Sequence, residues 1–166
     1  MNRITKTTLI FLVFLSCINP FAPELGDVGK SANVILTDQK SPDGLLQNFK
    51  YAYVFKDSLI YRDLLDDSFQ FIYLDTEKNI WDSWDKEKDV KTTSGLFGYF
   101  RNIDLQWNST NYIEFASDSA EVELSKSFIL ILDNEIRIIG DALFKFIKEK
   151  KTGIWFIKQW IDKSIT

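Results

Sequence analysis

The 166-residue sequence contains no histidine. That absence removes imidazole as a general base, as the partner of a serine or cysteine nucleophile, and as a metal ligand. Any chemistry near neutral pH falls to carboxylates, Tyr, Lys or the backbone. There is one cysteine, Cys17, so an internal disulfide is excluded and a folded domain must be held by its core alone. Twenty Lys and Arg stand against 24 Asp and Glu, a net charge of −4. That balance argues against a nucleic-acid surface, which would need a basic stripe to displace counterions from phosphates. The apolar run Leu9-Ile10-Phe11-Leu12-Val13-Phe14-Leu15 has seven residues, far short of the roughly 20 a membrane-crossing helix needs. Against these shortages stand 25 aromatic residues, 14 of them Phe. The length suits one domain, for which roughly 100–200 residues is usual.

Arg3 and Lys6 precede the apolar run, and Ser16 and Cys17 follow it. A basic segment, a short apolar stretch and a small residue form the anatomy of an export signal. Ser16-Cys17 resembles the bacterial lipoprotein signal, in which a small residue precedes the cysteine that is lipidated and becomes residue one of the mature chain. The resemblance implies a signal peptide over residues 1–16 and a lipid on Cys17 as the membrane partner. It further implies an exported protein held in the bacterial cell envelope, facing the periplasm or the cell surface. Several tens of acyl CH₂ groups at about 0.8 kcal/mol each would make attachment effectively permanent. An ordinary secretory signal cut at another position, leaving a free thiol, is the plainer alternative. Loss of residues 1–16 would leave 18 basic and 24 acidic residues. Residues 17–40 hold two of the three prolines, Pro20 and Pro23, with Gly26 and Gly29, and have no sustained period. They read as a tether, although Phe21 also suits packing along a domain surface.

From residue 41 to 166 the pattern is that of one α+β domain. Ser41-Pro42-Asp43 is a helix start, and Leu45, Leu46, Phe49, Ala52 and Tyr53 form an apolar stripe at helical spacing. Asp57-Ser58 starts a shorter helix through Ile60, Tyr61, Leu64 and Leu65, ending before an Asp66-Asp67 turn. Phe69 to Tyr73 alternates as a strand. Trp84 to Phe100 reads as a third helix with a solvated first half, weakened by Gly95 and Gly98. Strands then follow at Ile103–Trp107, at Tyr112–Phe115 after an Asn108-Ser109-Thr110-Asn111 turn, and at Glu121–Leu132, Glu135–Lys148 and Ile154–Ile161. Asp133-Asn134 and Lys151-Thr152-Gly153 suit tight hairpins between them.

The order helix, helix, strand, helix and antiparallel meander, with the closing Gly153-Ile154-Trp155-Phe156-Ile157-Lys158, resembles the nuclear transport factor 2-like (SnoaL-like) superfamily. With Cys17 and the Asn19-Pro20-Phe21-Ala22-Pro23 tether, the chain resembles bacterial lipoproteins of that superfamily. The resemblance implies a cystatin-like cone in which N-terminal helices pack in the concave face of a strongly curved antiparallel sheet. It also implies an apolar pocket between them, with Phe49, Tyr53, Trp107 and Trp155 as candidate lining residues. Such cones serve isomerases, dehydratases and cyclases as well as binding and interaction roles.

The missing histidines exclude the His-dependent active sites of that superfamily. A site of Tyr with carboxyl groups survives, and Tyr51, Tyr61 and Asp141 are its candidates. Asp141 lies between Ile139 and Leu143. It reads either as a desolvated acid or base or, with more weight, as part of a solvated row with Arg137 and Lys145. Trp81, Trp107, Trp155 and Trp160 read as core or sheet-face residues and Trp84 as the exposed tryptophan. Asp85-Lys86-Glu87-Lys88-Asp89 reads as a solvated face. The acidic pattern of a calcium loop is missing around Asp63, Asp66 and Asp67, and no cofactor or metal is expected. The leading expectation is a non-catalytic cone that binds a small apolar ligand or an envelope protein. An isomerase or lyase working by Tyr/Asp proton transfer is one alternative. A module that pairs two copies through the outer sheet face is the other.

Overall fold

The structure is a computed structural model, described here for residues 36–165, with the side chain of Ile165 excepted; the signal, Cys17 and most of the tether lie outside the described residues. Among the described residues, three helices are interleaved with six strands. They run α1 (Pro42–Val54), α2 (Ser58–Asp63), β1 (Leu65–Asp75), β2 (Ile80–Asp85), α3 (Lys86–Tyr99), β3 (Ile103–Phe115), β4 (Glu121–Leu132), β5 (Ile136–Lys148) and β6 (Trp155–Ile165). The strands form one curved sheet in the order β2-β1-β6-β5-β4-β3. Every pairing is antiparallel except β1 with β6, which is parallel. No helix among the described residues is long and apolar enough to cross a membrane.

Local chemistry sets the helix starts. The Ser41 hydroxyl accepts from Gly44 N at 3.0 Å, with Pro42 in the first turn. The Asp57 carboxylate accepts from the amides of Leu59 and Ile60, and the Asp85 carboxylate from Lys88 N. Each satisfies amides that a helix leaves unpaired. The buried side of α1 consists of Gly44, Leu45, Leu46, Asn48, Phe49, Ala52 and Tyr53. Residues 36–40, grouped with the tether by composition, are hydrogen-bonded to the domain. Thr37 N donates to Asn48 Oδ1 at 2.8 Å, Trp155 N to Gln39 O at 2.9 Å, and Gln39 Nε2 to Trp155 O at 2.7 Å.

Register explains the core. One row crosses all six strands through Ile113, Leu124, Phe144, Trp160, Phe71 and Trp84. From Leu124 to Phe71 it belongs to the face that meets the helices. The adjacent row, Tyr112, Ser125, Leu143, Ile161, Ile72 and Ser83, lies on the outer face.

Three elements differ from the pattern read in the sequence. The third helix, expected from Trp84, starts at Lys86 after Asp85 caps it, and Trp84 and Asp85 belong instead to an edge strand, Ile80–Asp85. Asn108–Asn111 is not a turn; β3 runs through it, and the misfit is absorbed as register shifts between Trp107 and Thr110 and between Thr110 and Tyr112. The second helix ends at Asp63, and Asp66-Asp67 lies within β1. There the parallel pairing with β6 shifts register between Leu65 and Gln70.

Candidate functional site

Phe49 lies where α1 meets the inner row of the sheet. Its ring contacts Tyr53 at 4.8 Å, Tyr61 and Trp160 at 5.5 Å, Trp107 at 5.6 Å and Phe144 at 6.0 Å between centroids. Several of these contacts are edge-to-face, the arrangement ring quadrupoles favour, worth about 0.5–1.5 kcal/mol each beyond burial. The inner row continues the cluster: Trp160 to Phe71 at 4.9 Å and Phe71 to Trp84 at 4.8 Å. The Trp107 indole also donates to Leu46 O at 3.0 Å, tying β3 to α1.

At one end of this ring cluster sits a buried polar group. The Tyr61 hydroxyl donates to Asp89 Oδ2 at 2.5 Å, and Trp84 Nε1 donates to Asp89 Oδ1 at 2.8 Å. Asp89 is 3% exposed and Tyr61 0%. Burial raises the Asp89 carboxyl above the usual range, while the Trp84 and Tyr61 hydrogen bonds pull it back. Tyr61 is pushed well above the ordinary phenol range, first by burial and then by the nearby Tyr53 and Asp89. Tyr53 is raised in the same way by burial and by Asp89, against hydrogen bonds involving Thr93 and Tyr61. Both tyrosines therefore act only as neutral hydroxyls. The group joins α2, α3 and the edge strand β2, with α1 contributing Tyr53.

Phe49 and Tyr53 are core residues, and Trp107 is half-buried against them. Trp155 is buried at the start of β6, held to Gln39 and with Lys148 Nζ at 5.6 Å from its ring centroid. Tyr61 joins the polar group. Tyr51 lies against Phe55 instead, its ring tilted at 32° and 4.5 Å between centroids. Asp141 faces outward, opposite Ser127 and Lys163, and accepts from Asn111 Nδ2 at 2.7 Å. Two tryptophans exchange the roles read for them: Trp81 is 55% exposed on the edge strand, whereas Trp84 is half-buried with its indole on Asp89.

Asp89 was missed because it closes a run of alternating charges. The signal lay in helical phase. Asp89, Thr93 and Phe97 recur every four residues and are the three buried positions of α3. Trp160 carries the one buried side-chain nitrogen or oxygen among the described residues without a hydrogen-bond partner, its Nε1. Three clefts among the described residues open at the surface. One of about 530 Å³ is lined by Asp63, Asp66, Asp67, Lys86, Glu149 and Phe156 among others, and none of Tyr53, Tyr61 or Asp89 lines it.

No protein-family model and no curated protein sequence matches the chain. Solved structures do. A putative scytalone dehydratase from Novosphingobium aromaticivorans is 15% identical with a TM-score of 0.60, covering 75% of this chain and 81% of its own. An NTF2-like protein of unknown function from Shewanella baltica is 13% identical with a TM-score of 0.54, covering 74% and 89%. The Bdellovibrio bacteriovorus protein Bd1075 is 11% identical with a TM-score of 0.58, and the match spans 75% of this chain but 39% of that one. At these identities the likeness concerns architecture alone: the domain has the nuclear transport factor 2-like cone fold.

Proposed function

We propose that the chain is a membrane-tethered, non-catalytic cone domain that binds a protein partner in the cell envelope. The filling of the cone carries this reading. Phe49 alone meets five other rings. The buried carboxylate of Asp89 already accepts a hydrogen bond at each oxygen. A general base needs a substrate proton within about 2.6–3.2 Å, and rings occupy the space around this one. Of the two occupants expected from sequence, the same packing favours the protein over a small apolar ligand inside the cone. Surface groups support a protein partner: the edge strand β2 exposes Ile80 and Trp81, and the opposite edge β3 exposes Tyr112, Ile113 and Phe115. Unpaired edges with apolar side chains are sites of strand addition.

Two measurements test it. Radiolabelled palmitate should label the wild-type chain and not Cys17→Ser; equal labelling would overturn the anchoring. A photo-crosslinking residue at Trp81 or Tyr112 should give a discrete adduct in intact cells that is absent when the same residue replaces Gln47 on exposed α1. The same smear from all three positions would overturn the edge-binding reading.

A second reading has a specific observation behind it. Tyr61 and Asp89 form a buried tyrosine–carboxyl pair with a raised carboxyl pKa, the combination that proton-transfer sites use. One solved neighbour of this fold is described as a putative scytalone dehydratase. Elimination or isomerisation at this pair would require the aromatic cluster to open and admit a substrate to Asp89.

A further inference from the structure

Among the described residues, the three most exposed large apolar side chains are Tyr99 at 81%, Leu59 at 63% and Phe55 at 56%. All three stand at one end of the helical layer. Phe55 is the C-cap of α1, Leu59 lies in the first turn of α2, and Tyr99 ends α3. Lys56 Nζ donates to Phe100 O at 3.2 Å, which sets the α1–α2 turn beside the end of α3. Tyr51 lies against Phe55 at 4.5 Å and Phe100 against Tyr99 at 4.9 Å, so the exposed groups extend into two aromatic pairs.

The turn that presents them is well tied. Phe55 N donates to Tyr51 O and Asp57 N to Ala52 O, and the Asp57 carboxylate accepts from two amides of α2. Lys56 occupies the left-handed region with φ 57°, which ends α1 and turns the chain toward α2.

Charge separates this patch from the other apolar groups on the surface. Lys56 and Arg101 are exposed beside it, and the two nearby acids, Asp57 of the turn and Asp133 next to Asn102, accept from backbone amides. Ile80 and Trp81, by contrast, share their hairpin with Asp75, Glu77 and Asp82 and with one cation, Lys78, which is paired to Asp75 at 2.6 Å, and Ile113 and Phe115 flank Glu114. In a chain of net charge −4, the most exposed apolar cluster carries basic neighbours. Aromatic and aliphatic groups flanked by a Lys and an Arg fit the headgroup region of an anionic bilayer, where rings sit at the interface and cations meet phosphates.

We infer that the Phe55–Leu59–Tyr99 patch is a lipid-docking face that seats this end of the domain on an anionic membrane. Reach permits it. The 18 residues between Cys17 and Leu36 can span up to about 60 Å when extended. Thr37 is held at the N-terminal half of α1 by Asn48 and Gly44, and α1 is only ~20 Å long. The setting rests on the membrane-tethered reading above, but the test does not.

The test uses the full chain carrying Cys17→Ser and an N-terminal hexahistidine tag, tethered to vesicles through a nickel-chelating lipid. An environment-sensitive fluorophore is placed at Tyr99→Cys or, as a control, at Ser117→Cys beyond the far end of β3. With phosphatidylglycerol vesicles, brominated acyl chains should quench the label at 99 several-fold more than the label at 117. That difference should collapse on phosphatidylcholine vesicles and in the Lys56→Glu/Arg101→Glu variant. Equal quenching at the two positions, or none at 99, would overturn the proposal; the latter is the result expected of a patch that binds protein. The chelating tether holds the chain at the bilayer whatever happens at Cys17, so failure here and failure of palmitate labelling are separate results.

Discussion

The Tyr61 hydroxyl and Asp89 Oδ2 lie 2.5 Å apart with almost no access to water, Tyr61 at 0% and Asp89 at 3% exposure. Trp84 Nε1 closes the other oxygen at 2.8 Å. A buried carboxylate is tolerable only because two donors replace its water shell. The group therefore fixes how α2, α3 and the edge strand β2 meet, and its removal is expected to loosen all three.

Asp89→Ala would strand the Tyr61 hydroxyl and the Trp84 indole without acceptors. The expected loss is about 2–6 kcal/mol of unfolding free energy, given about 1–3 kcal/mol for each of the two groups left unpaired. Asp89→Asn keeps one acceptor and the shape of the side chain, and should cost clearly less. Urea unfolding followed by tryptophan fluorescence measures both. Equal losses for the two variants would mean that the carboxylate's hydrogen bonds do not hold the group together.

Stability should carry a pH signature from the same residue. Burial raises Asp89's folded pKa above its unfolded value of roughly 3.9. In the window between the two values the folded state holds a proton that the unfolded state has lost, so stability falls as pH rises through it. Each pKa unit of displacement corresponds to ~1.4 kcal/mol. Asp66, Asp75 and Glu121 act oppositely. Asp66 is lowered despite partial burial by bonds from Ser68 and by Lys86, Asp75 by Lys78, and Glu121 by Lys158 and Lys145. Their stabilisation is present above their unfolded values and is lost as pH falls. Subtracting the Asp89→Asn curve from the wild-type curve isolates the first effect: the difference should decline from pH 4 upward and then level off. A flat difference would place Asp89 in contact with water.

The glycines give a pair of opposite expectations. A Cβ built on Gly140 of β5 would come within 2.3 Å of Ser164 Cα and 2.9 Å of Ser164 N on the neighbouring β6 backbone. Gly140→Ala should cost about 1–3 kcal/mol, the usual range for overpacking, because a strand cannot yield as a flexible side chain can. Gly95 and Gly98 lie in α3 with nothing within 4 Å of an added Cβ. Gly95→Ala and Gly98→Ala should each raise stability by about 0.5–1 kcal/mol. Thermal unfolding of the three variants checks the signs.

Sequence periodicity revealed the α+β class, the cap at Ser41 and the stripe from Leu45 to Tyr53, because each depends on chemistry within a few residues. It did not reveal the Tyr61–Asp89–Trp84 group. Tyr61 and Asp89 are 28 residues apart, and Asp89 sits among Lys86, Glu87 and Lys88, where local charge points to solvent. Only the four-residue recurrence with Thr93 and Phe97 carried its buried phase. The edge strand β2 was hidden for a related reason: Ile80–Asp85 has an exposed position at all but one residue, so it shows no alternation. The parallel contact of β1 with β6 joins chain segments more than 80 residues apart, and no local pattern encodes it.

Phe49→Ala, at the centre of the ring cluster, should cost about 3–5 kcal/mol and leave a cavity. That variant also supplies the most direct measurement of the central claim, that the cone is filled by its own aromatic side chains. Titration with the apolar fluorophore N-phenyl-1-naphthylamine should show no saturable one-to-one site in the wild-type chain and a new one in Phe49→Ala. A saturable one-to-one site in the wild-type chain, weakened by the larger ring of Phe49→Trp, would contradict the account and return the cone to the role of a ligand pocket.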